Sequence, residues 1–149
     1  MRKNSYFLYL FSITLLFSCQ KEDGKIDFTF LQINDVYEIA PIQGGEFGGM
    51  ARVETVHKEL IKENKNTMLF LAGDFLNPSL LGTLKVDGER VRGKQMIEVL
   101  NAMNTDLVAF GNHEFDVSKK DLQKRLNESS FPWISANVKL KTKEKTIHF

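Results

Sequence analysis

The sequence is poor in the residues that mark several special classes of protein: it has one cysteine, three prolines and ten glycines in 149 residues. One cysteine cannot form an intramolecular disulfide, and so little proline and glycine excludes a collagen-like or low-complexity chain. An excess of charge is also absent, because 20 lysines and arginines stand against 19 aspartates and glutamates. This balance argues against a nucleic acid polymer as partner. The hydrophobic share of 42% excludes a disordered tail and is typical of one globular domain, or part of one.

No apolar run is long enough to cross a bilayer, which takes about 20 residues, but a shorter run lies near the N-terminus. Arg2 and Lys3 precede the almost unbroken apolar stretch 6–17, as in a secretory signal peptide. The following segment, Leu16-Phe17-Ser18-Cys19, resembles the lipobox of bacterial lipoproteins, whose cysteine is acylated and becomes the new N-terminus. We therefore expect a lipoprotein signal peptide at 1–18, lipidation of Cys19 and a polar tether at 19–25. An ordinary signal peptide, or a transmembrane anchor with an incidental cysteine, is the alternative.

This N-terminus predicts an exported protein that is anchored to a membrane by lipid, in the periplasm or at the cell surface. Removal of residues 1–18 would leave 18 basic residues against 19 acidic ones. The mature chain therefore favours neither nucleic acid nor an anionic membrane face as its partner.

From residue 26 onward, short β-type runs alternate with helical patterns. Strands are predicted at 26–33, 67–72, 106–110 and 131–136. Apolar side chains recur at helical spacing in two segments, Met50, Val53, Val56, Leu60 and Ile61 in the first and Met96, Ile97, Leu100 and Met103 in the second. Ser118 is predicted to cap a third helix. The order β-α-β-α-β-α-β indicates an open α/β fold with a mostly parallel sheet and strands covered on both faces, and Asp87-Gly88 indicates the tip of a hairpin.

Polar residues follow three of the four predicted strands: Asn34-Asp35, Gly73-Asp74 and Gly111-Asn112-His113-Glu114. The carboxyl ends of parallel strands meet at one edge of a sheet, so Asp35, Asp74 and Asn112 are expected to approach one another. Two adjacent carboxylates repel, and a divalent cation between them removes the repulsion. Oxygen donors with an added histidine suit Mn²⁺, Mg²⁺, Zn²⁺ or Fe²⁺. The alternative is that these residues only make turns and cap helices, as aspartate and asparagine often do.

These motifs resemble those of the calcineurin-like metallophosphoesterases, and more narrowly the bacterial 5′-nucleotidase branch. The resemblance lies in Asn34-Asp35, Gly48-Gly49-Met50-Ala51-Arg52, Ala72-Gly73-Asp74, the segment 111–116 (GNHEFD) and Ser135-Ala136-Asn137, and covers residues 26–149. It implies that this part of the chain is the N-terminal part of a metallophosphoesterase domain, with that family's layered α/β fold. It also implies a small-molecule phosphate ester, such as a nucleotide, as the substrate.

The resemblance further implies a two-metal centre that activates a water for attack on phosphorus. Asp35 would bind the first metal, Asp74 would bridge both, and Asn112 would bind the second. His113 would act on the leaving-group oxygen or stabilise charge on the phosphoryl group, and Asp116 would hold its imidazole.

The sequence departs from the family at two points. The first motif is usually Asp-x-His, but here Tyr37 takes the histidine position. Tyr37 could coordinate a ferric-type ion, point away and leave a water, or mark a weakened site, and we favour the second. Further histidine ligands from later strands have no counterpart here, since His57 is expected on a half-buried helix surface and His148 in a final strand. Three donors do not complete two metal sites, so we expect a fragment of a larger enzyme or a truncated gene product, inactive on its own.

Two other functions compete with hydrolysis. A lipoprotein that keeps the fold but binds a ligand or partner without turnover is consistent with Tyr37 and the missing histidines. A dinucleotide-binding domain is disfavoured, because no Gly-x-Gly-x-x-Gly follows a strand. As a sheet of four or five strands, residues 26–149 are also expected to leave an apolar face uncovered and to have poor stability on their own.

Overall fold

The computed structural model of the protein describes residues 24–142 and 145–148. The eight strands of this part are β1 (Thr29–Ile33), β2 (Thr67–Leu71), β3 (Lys85–Val86), β4 (Glu89–Arg90), β5 (Leu107–Ala109), β6 (Trp133–Ile134), β7 (Lys139–Lys141) and β8 (Thr146–His148). Its α-helices are α1 (Met50–Glu63), α2 (Leu80–Thr83), α3 (Lys94–Ala102) and α4 (Lys119–Glu128). Two 3₁₀-helices, Gln43–Gly45 and His113–Phe115, complete the order. The predicted signal peptide, Cys19 and most of the tether lie outside the described residues.

Four parallel strands form the main sheet in the order β1-β2-β5-β6. The register places Thr29 opposite Thr67 and Ile33 opposite Leu71, so β1 and β2 end level with each other. Helices α1, α3 and α4 fall between successive strands of this sheet, which confirms the predicted β-α-β-α-β-α-β order. The hairpin predicted at Asp87-Gly88 is formed by β3 and β4. The final predicted strand pairs antiparallel with β7 in a separate two-stranded ribbon.

The hydrophobic core is built from the sheet, the loop after β2 and helix α3. Its buried side chains are Met50, Leu69, Leu71, Phe75, Leu76, Met96, Ile97, Leu100, Met103, Val108 and Phe131. All four apolar positions predicted to face inward from the second helical segment are therefore buried. Helix α4 begins as predicted, because the Ser118 hydroxyl accepts a hydrogen bond from the backbone N–H of Asp121.

Strands β1 and β2 are covered on one face only by the described residues, so the expectation of two covered faces is wrong for them. Burial alternates along β2, and on the second face Phe30 is 61% exposed and stacks on half-buried Phe70. This open apolar face agrees with the uncovered face predicted from the small number of strands. The low stability expected of residues 26–149 on their own stays a prediction.

The inward face of α1 differs from the prediction. Val56 and Ile61 are exposed, whereas His57 is buried and contacts Glu54 through its Nδ1 at 3.4 Å. The reason is geometric: Met50, Val53, His57 and Leu60 form the stripe that turns inward, and Val56 and Ile61 lie beside it. Among the described residues no helix is both long and apolar enough to cross a membrane.

Candidate active site

The ends of β1 and β2 bring two of the predicted ligands to one edge of the sheet. The backbone N–H of Asp35 donates to the Gly73 carbonyl at 3.1 Å, so the ladder between these strands continues into the two loops. Asp35 and Asp74 both have left-handed backbone conformations, with φ of 54° and 62°. Such conformations are uncommon outside glycine and turn the chain sharply where each strand ends. The side chains of Asp35 and Asp74 are therefore attached to two adjacent turns at the same edge of the sheet.

The loops after β2 and β5 approach each other too closely for any side chain at their glycines. A Cβ on Gly73 would lie 2.4 Å from the Gly111 nitrogen, and a Cβ on Gly111 would lie 2.1 Å from Asp74 Oδ1. Gly73 also has a φ of +82°, which glycine adopts without strain. The glycines in Gly73-Asp74 and Gly111-Asn112 are therefore required by backbone approach, and this contact places the loop of Asn112 against Asp74.

Glu114 connects the same two loops through hydrogen bonds to their backbones. Its side chain is completely buried. Oε2 accepts from the backbone N–H groups of Asp74 at 2.8 Å and Gly111 at 2.6 Å, and Oε1 accepts from those of Phe75 at 2.8 Å and Leu76 at 3.2 Å. Four backbone donors compensate for the cost of burying the carboxylate. Sequence reasoning assigned Glu114 no role, and its position inside the GNHEFD motif was the available signal.

The loop after β5 is also joined to Asp74 directly. Asp74 Oδ1 accepts from the backbone N–H of His113 at 2.8 Å. Asn112 lies between Gly111 and His113, and the backbone N–H of each of these neighbours bonds to a carboxylate at this edge. The exposed side chain of Asn112 is therefore carried by a backbone fixed on both sides.

His113 is paired with the carboxylate predicted to orient it. His113 Nδ1 and Asp116 Oδ2 are 2.6 Å apart, and the Asn77 side-chain amide donates to the same oxygen at 3.2 Å. The hydrogen bond to Asp116 raises the pKa of His113, and the bond from His113 lowers the pKa of Asp116. The pairing leaves Nε2 as the ring nitrogen that is available to a ligand.

Tyr37 lies at this edge as well. Its hydroxyl donates to Asp35 Oδ1 at 3.4 Å, and its ring meets that of His113 edge-on with centroids 6.0 Å apart. Partial desolvation, together with the carboxylates of Asp74 and Asp35, raises the pKa of the phenol above its ordinary value. The Tyr37 hydroxyl is therefore a neutral donor to Asp35 in this structure.

The side chains at this edge are of the kind that binds a divalent cation, but there are too few of them to complete a metal site. Asp35 and Asp74 offer anionic oxygens from adjacent turns, and Asn112 adds an amide oxygen from the third loop. In the described part of the chain, however, no group of three or more histidine, cysteine, aspartate or glutamate side chains is placed to hold a metal ion. Of the other histidines, His57 pairs with Glu54 inside α1, and the side chain of His148 is outside the described residues.

The model of the calcineurin-like phosphoesterase family matches residues 28–144. The chain belongs to this family of metal-dependent enzymes, on the branch that contains the 5′-nucleotidases. It is 34% identical to human 5′-nucleotidase over 129 residues, which are 79% of this chain and 21% of that protein. It is 32% identical to a probable 5′-nucleotidase of Treponema pallidum over 137 residues, which are 83% of this chain and 22% of that protein.

Solved structures support the same assignment of this calcineurin-like chain. A 5′-nucleotidase precursor from Thermus thermophilus matches with a TM-score of 0.63 and 26% identity over 74% of this chain and 22% of the other. The NAD nucleotidase of Haemophilus influenzae matches with a TM-score of 0.61 and 26% identity over 80% of this chain and 22% of the other. The calcineurin-like chain thus spans about a fifth of the length of these relatives.

Proposed function

We propose that the full-length protein is a metal-dependent phosphohydrolase that releases phosphate from nucleotide monoesters, and that this chain supplies part of its catalytic centre. The proposal rests on one observation, which is the contact between the loops that follow β1, β2 and β5. The backbone N–H of Asp35 donates to the carbonyl of Gly73, and the Asp74 carboxylate accepts from the backbone N–H of His113. The metal dependence of the family and the 5′-nucleotidase relatives support this function.

Asp35, Asp74 and Asn112 would hold the metal, which we propose to be two divalent ions of Mn, Mg, Zn or Fe. When bound, such ions neutralise charge on the phosphoryl group and lower the pKa of a water. The cation would also relieve the repulsion between the two carboxylates. Three donors are fewer than two ions need, so further ligands in the full-length protein are part of the proposal.

His113 and Asp116 would act on the substrate side of the centre. Asp116 holds Nδ1 and so fixes the tautomer and the orientation of the ring. A protonated His113 would then donate from Nε2 to a phosphoryl oxygen or to the leaving-group oxygen, where negative charge develops during the reaction. The Asn77 amide, which bonds to the same oxygen of Asp116, supports the carboxylate from the loop after β2.

We also propose that the protein is exported and lipid-anchored through Cys19. A membrane-anchored phosphohydrolase outside the cytoplasm has a physical rationale, because charged nucleotides cross membranes poorly before they lose phosphate. Metabolic labelling with palmitate tests the anchor. Cys19→Ala should abolish the label in the full-length protein, and a label retained by this variant would contradict the proposal.

The decisive experiment measures metal content and phosphate release from AMP in the full-length protein, with and without Mn²⁺. We expect two transition ions per chain and Mn²⁺-dependent release. Asp74→Asn should lower both by at least about tenfold. Asp87→Asn removes the same charge from the exposed β3–β4 turn and should change neither. A wild-type protein without metal and without activity would overturn the proposal.

Such an inert protein would leave the second candidate, a lipoprotein that binds a ligand without turnover. The observation that favours it is the place of Tyr37, whose hydroxyl donates to Asp35 where the family usually has a histidine.

A further inference from the structure

Tyr37 borders both the first candidate metal ligand and the candidate catalytic histidine. Its half-buried ring meets the ring of His113 edge-on, at a centroid distance of 6.0 Å and an interplanar angle of 83°. Its hydroxyl donates to Asp35 Oδ1 at 3.4 Å. The tip of the side chain at position 37 therefore reaches the Asp35 carboxylate.

The carboxylate of Asp35 meets a hydrogen-bond donor at each of its two oxygens. The Asn34 side-chain amide donates to Oδ2 at 2.5 Å, and the Tyr37 hydroxyl is the donor to Oδ1. A carboxylate oxygen has two lone pairs, so Asp35 can still bind a cation. Each donor occupies one of these lone pairs and draws electron density from the oxygen. Asp35 is therefore a weaker metal ligand than a carboxylate without such donors.

The side chains of Asp74 and Asn112 keep more of their lone pairs for a cation. Asp74 Oδ1 accepts from the backbone N–H of His113 at 2.8 Å, but Oδ2 accepts no hydrogen bond from the residues that the structure describes. Within the same residues, the exposed side chain of Asn112 makes no hydrogen bond either. The two halves of the candidate metal centre thus differ in how many lone pairs are already engaged.

Position 37 adds a hydrogen-bond donor to Asp35 but no nitrogen ligand. In the described part of the chain, no histidine, cysteine, aspartate or glutamate joins Asp35 and Asp74 to make a group of three. An imidazole nitrogen is the commonest protein ligand of first-row divalent metals, whereas a hydroxyl that donates its hydrogen to a carboxylate supplies no lone pair through that contact. A cation at Asp35 therefore gains nothing from the side chain nearest to this carboxylate.

We propose that the two ions of the centre bind with unequal affinity and that Tyr37 sets the difference. The ion held by Asp74 and Asn112 is the tight one, and the ion at Asp35 is the weak one. This inference rests on the metal-dependent function proposed above and adds a form of regulation to it. Phosphate release that needs both ions depends on the concentration of free metal, because the weak position fills last.

The test is a calorimetric titration of the metal-free full-length protein with Mn²⁺. The wild-type protein should show a tight and a weak class of sites, with Kd values that differ at least about tenfold. Tyr37→His places a nitrogen ligand beside Asp35, so it should tighten the weak class at least about tenfold and leave the tight class nearly unchanged. Tyr37→Phe removes the donor without adding a ligand, and it should tighten the weak class by no more than about threefold.

Two further variants check the assignment. Lys65→His adds an imidazole in the exposed turn before β2 and should leave both classes unchanged. Asp35→Asn should abolish the weak class and keep the tight one. Phosphate release from AMP gives an independent reading, since the Mn²⁺ concentration for half-maximal release should fall in Tyr37→His together with the Kd of the weak class.

Equal affinities of the two ions in the wild-type protein would overturn the inference, and so would a weak class that Tyr37→His leaves unchanged. Loss of the tight class in Asp35→Asn would contradict the assignment of the two positions. A wild-type protein that binds one ion and a Tyr37→His variant that binds two would support it. If the full-length protein binds Mn²⁺ but releases no phosphate, the proposed function fails and the Kd values still decide the inference. If it binds no Mn²⁺, both fail.

Discussion

Replacement of Glu114 by glutamine tests the strongest physical claim about the site, which is that a buried carboxylate holds the loops after β2 and β5 together. A glutamine retains one acceptor oxygen and turns the other into an NH₂ donor. Because each oxygen of Glu114 accepts two backbone N–H groups, Glu114→Gln leaves two buried donors without an acceptor in either orientation of the amide.

The expected cost follows from that count. A buried donor without a partner costs about 1–3 kcal/mol, so two of them cost about 2–6 kcal/mol. Glutamine avoids the cost of burying a charge, which offsets part of this loss, and we expect a net effect of about 2–4 kcal/mol. That is a large fraction of the ~5–15 kcal/mol by which domains are stable. Glu114→Ala should cost more, because it leaves all four donors unpaired.

Amide hydrogen exchange of the full-length protein, followed by mass spectrometry, gives a local measurement. Peptides that cover residues 74–76 and 111 should exchange at least about tenfold faster in Glu114→Gln, since 1.4 kcal/mol corresponds to a factor of ten. Metal content should fall as well, because Asp74 moves with its loop. Glu59→Gln, at an exposed position of α1, is the control. Exchange in Glu114→Gln that matches wild type would refute the reasoning.

Three further predictions concern neighbouring residues. Gly111→Ala should abolish metal binding and phosphate release in the full-length protein, since its Cβ would lie 2.1 Å from Asp74 Oδ1, whereas Gly82→Ala meets nothing closer than 3.8 Å and should keep both. His113→Asn should lower turnover of AMP about 100-fold or more while metal content stays nearly intact, and a loss of metal would show that His113 is a ligand. Asp121 contributes stability that depends on pH: burial opposes its ionisation, but Ser118 and Arg92 lower its pKa on balance. Because the folded pKa lies below the unfolded one of about 3.9, this stabilisation is present at neutral pH and is lost as the pH falls below about 4. Asp121→Asn should therefore reduce the acid-induced loss measured by urea unfolding, and an unchanged pH profile would contradict the assignment.

Much of the fold could be predicted because it depends on local patterns. The apolar runs and helical spacing were enough to give the four parallel strands and the helices between them. Ser118 and Asp87-Gly88 were recognisable because capping and tight turns are set by a few consecutive residues. The inward face of α1 was not recognisable, since His57 and Val56 compete for it and packing decides between them.

The candidate site was predicted less completely. Asp35, Asp74 and Asn112 could be proposed because the ends of parallel strands share an edge. The roles of His113 and Asp116 were implied by the resemblance to the calcineurin-like family. Glu114 could not, since its role consists of four hydrogen bonds to backbone groups up to 40 residues away. Apart from its place in the GNHEFD motif, no local pattern distinguishes a buried acceptor of this kind from a solvated carboxylate.

The amino-acid order alone determined the sequence of strands and helices and the chemical types gathered at the strand ends, because both follow from periodicity and from short motifs. Only the tertiary structure decided that Gly73 and Gly111 touch and that Glu114 joins their loops. Those contacts depend on strand register and on how closely two backbones approach, and these distances are fixed by packing across the whole sheet.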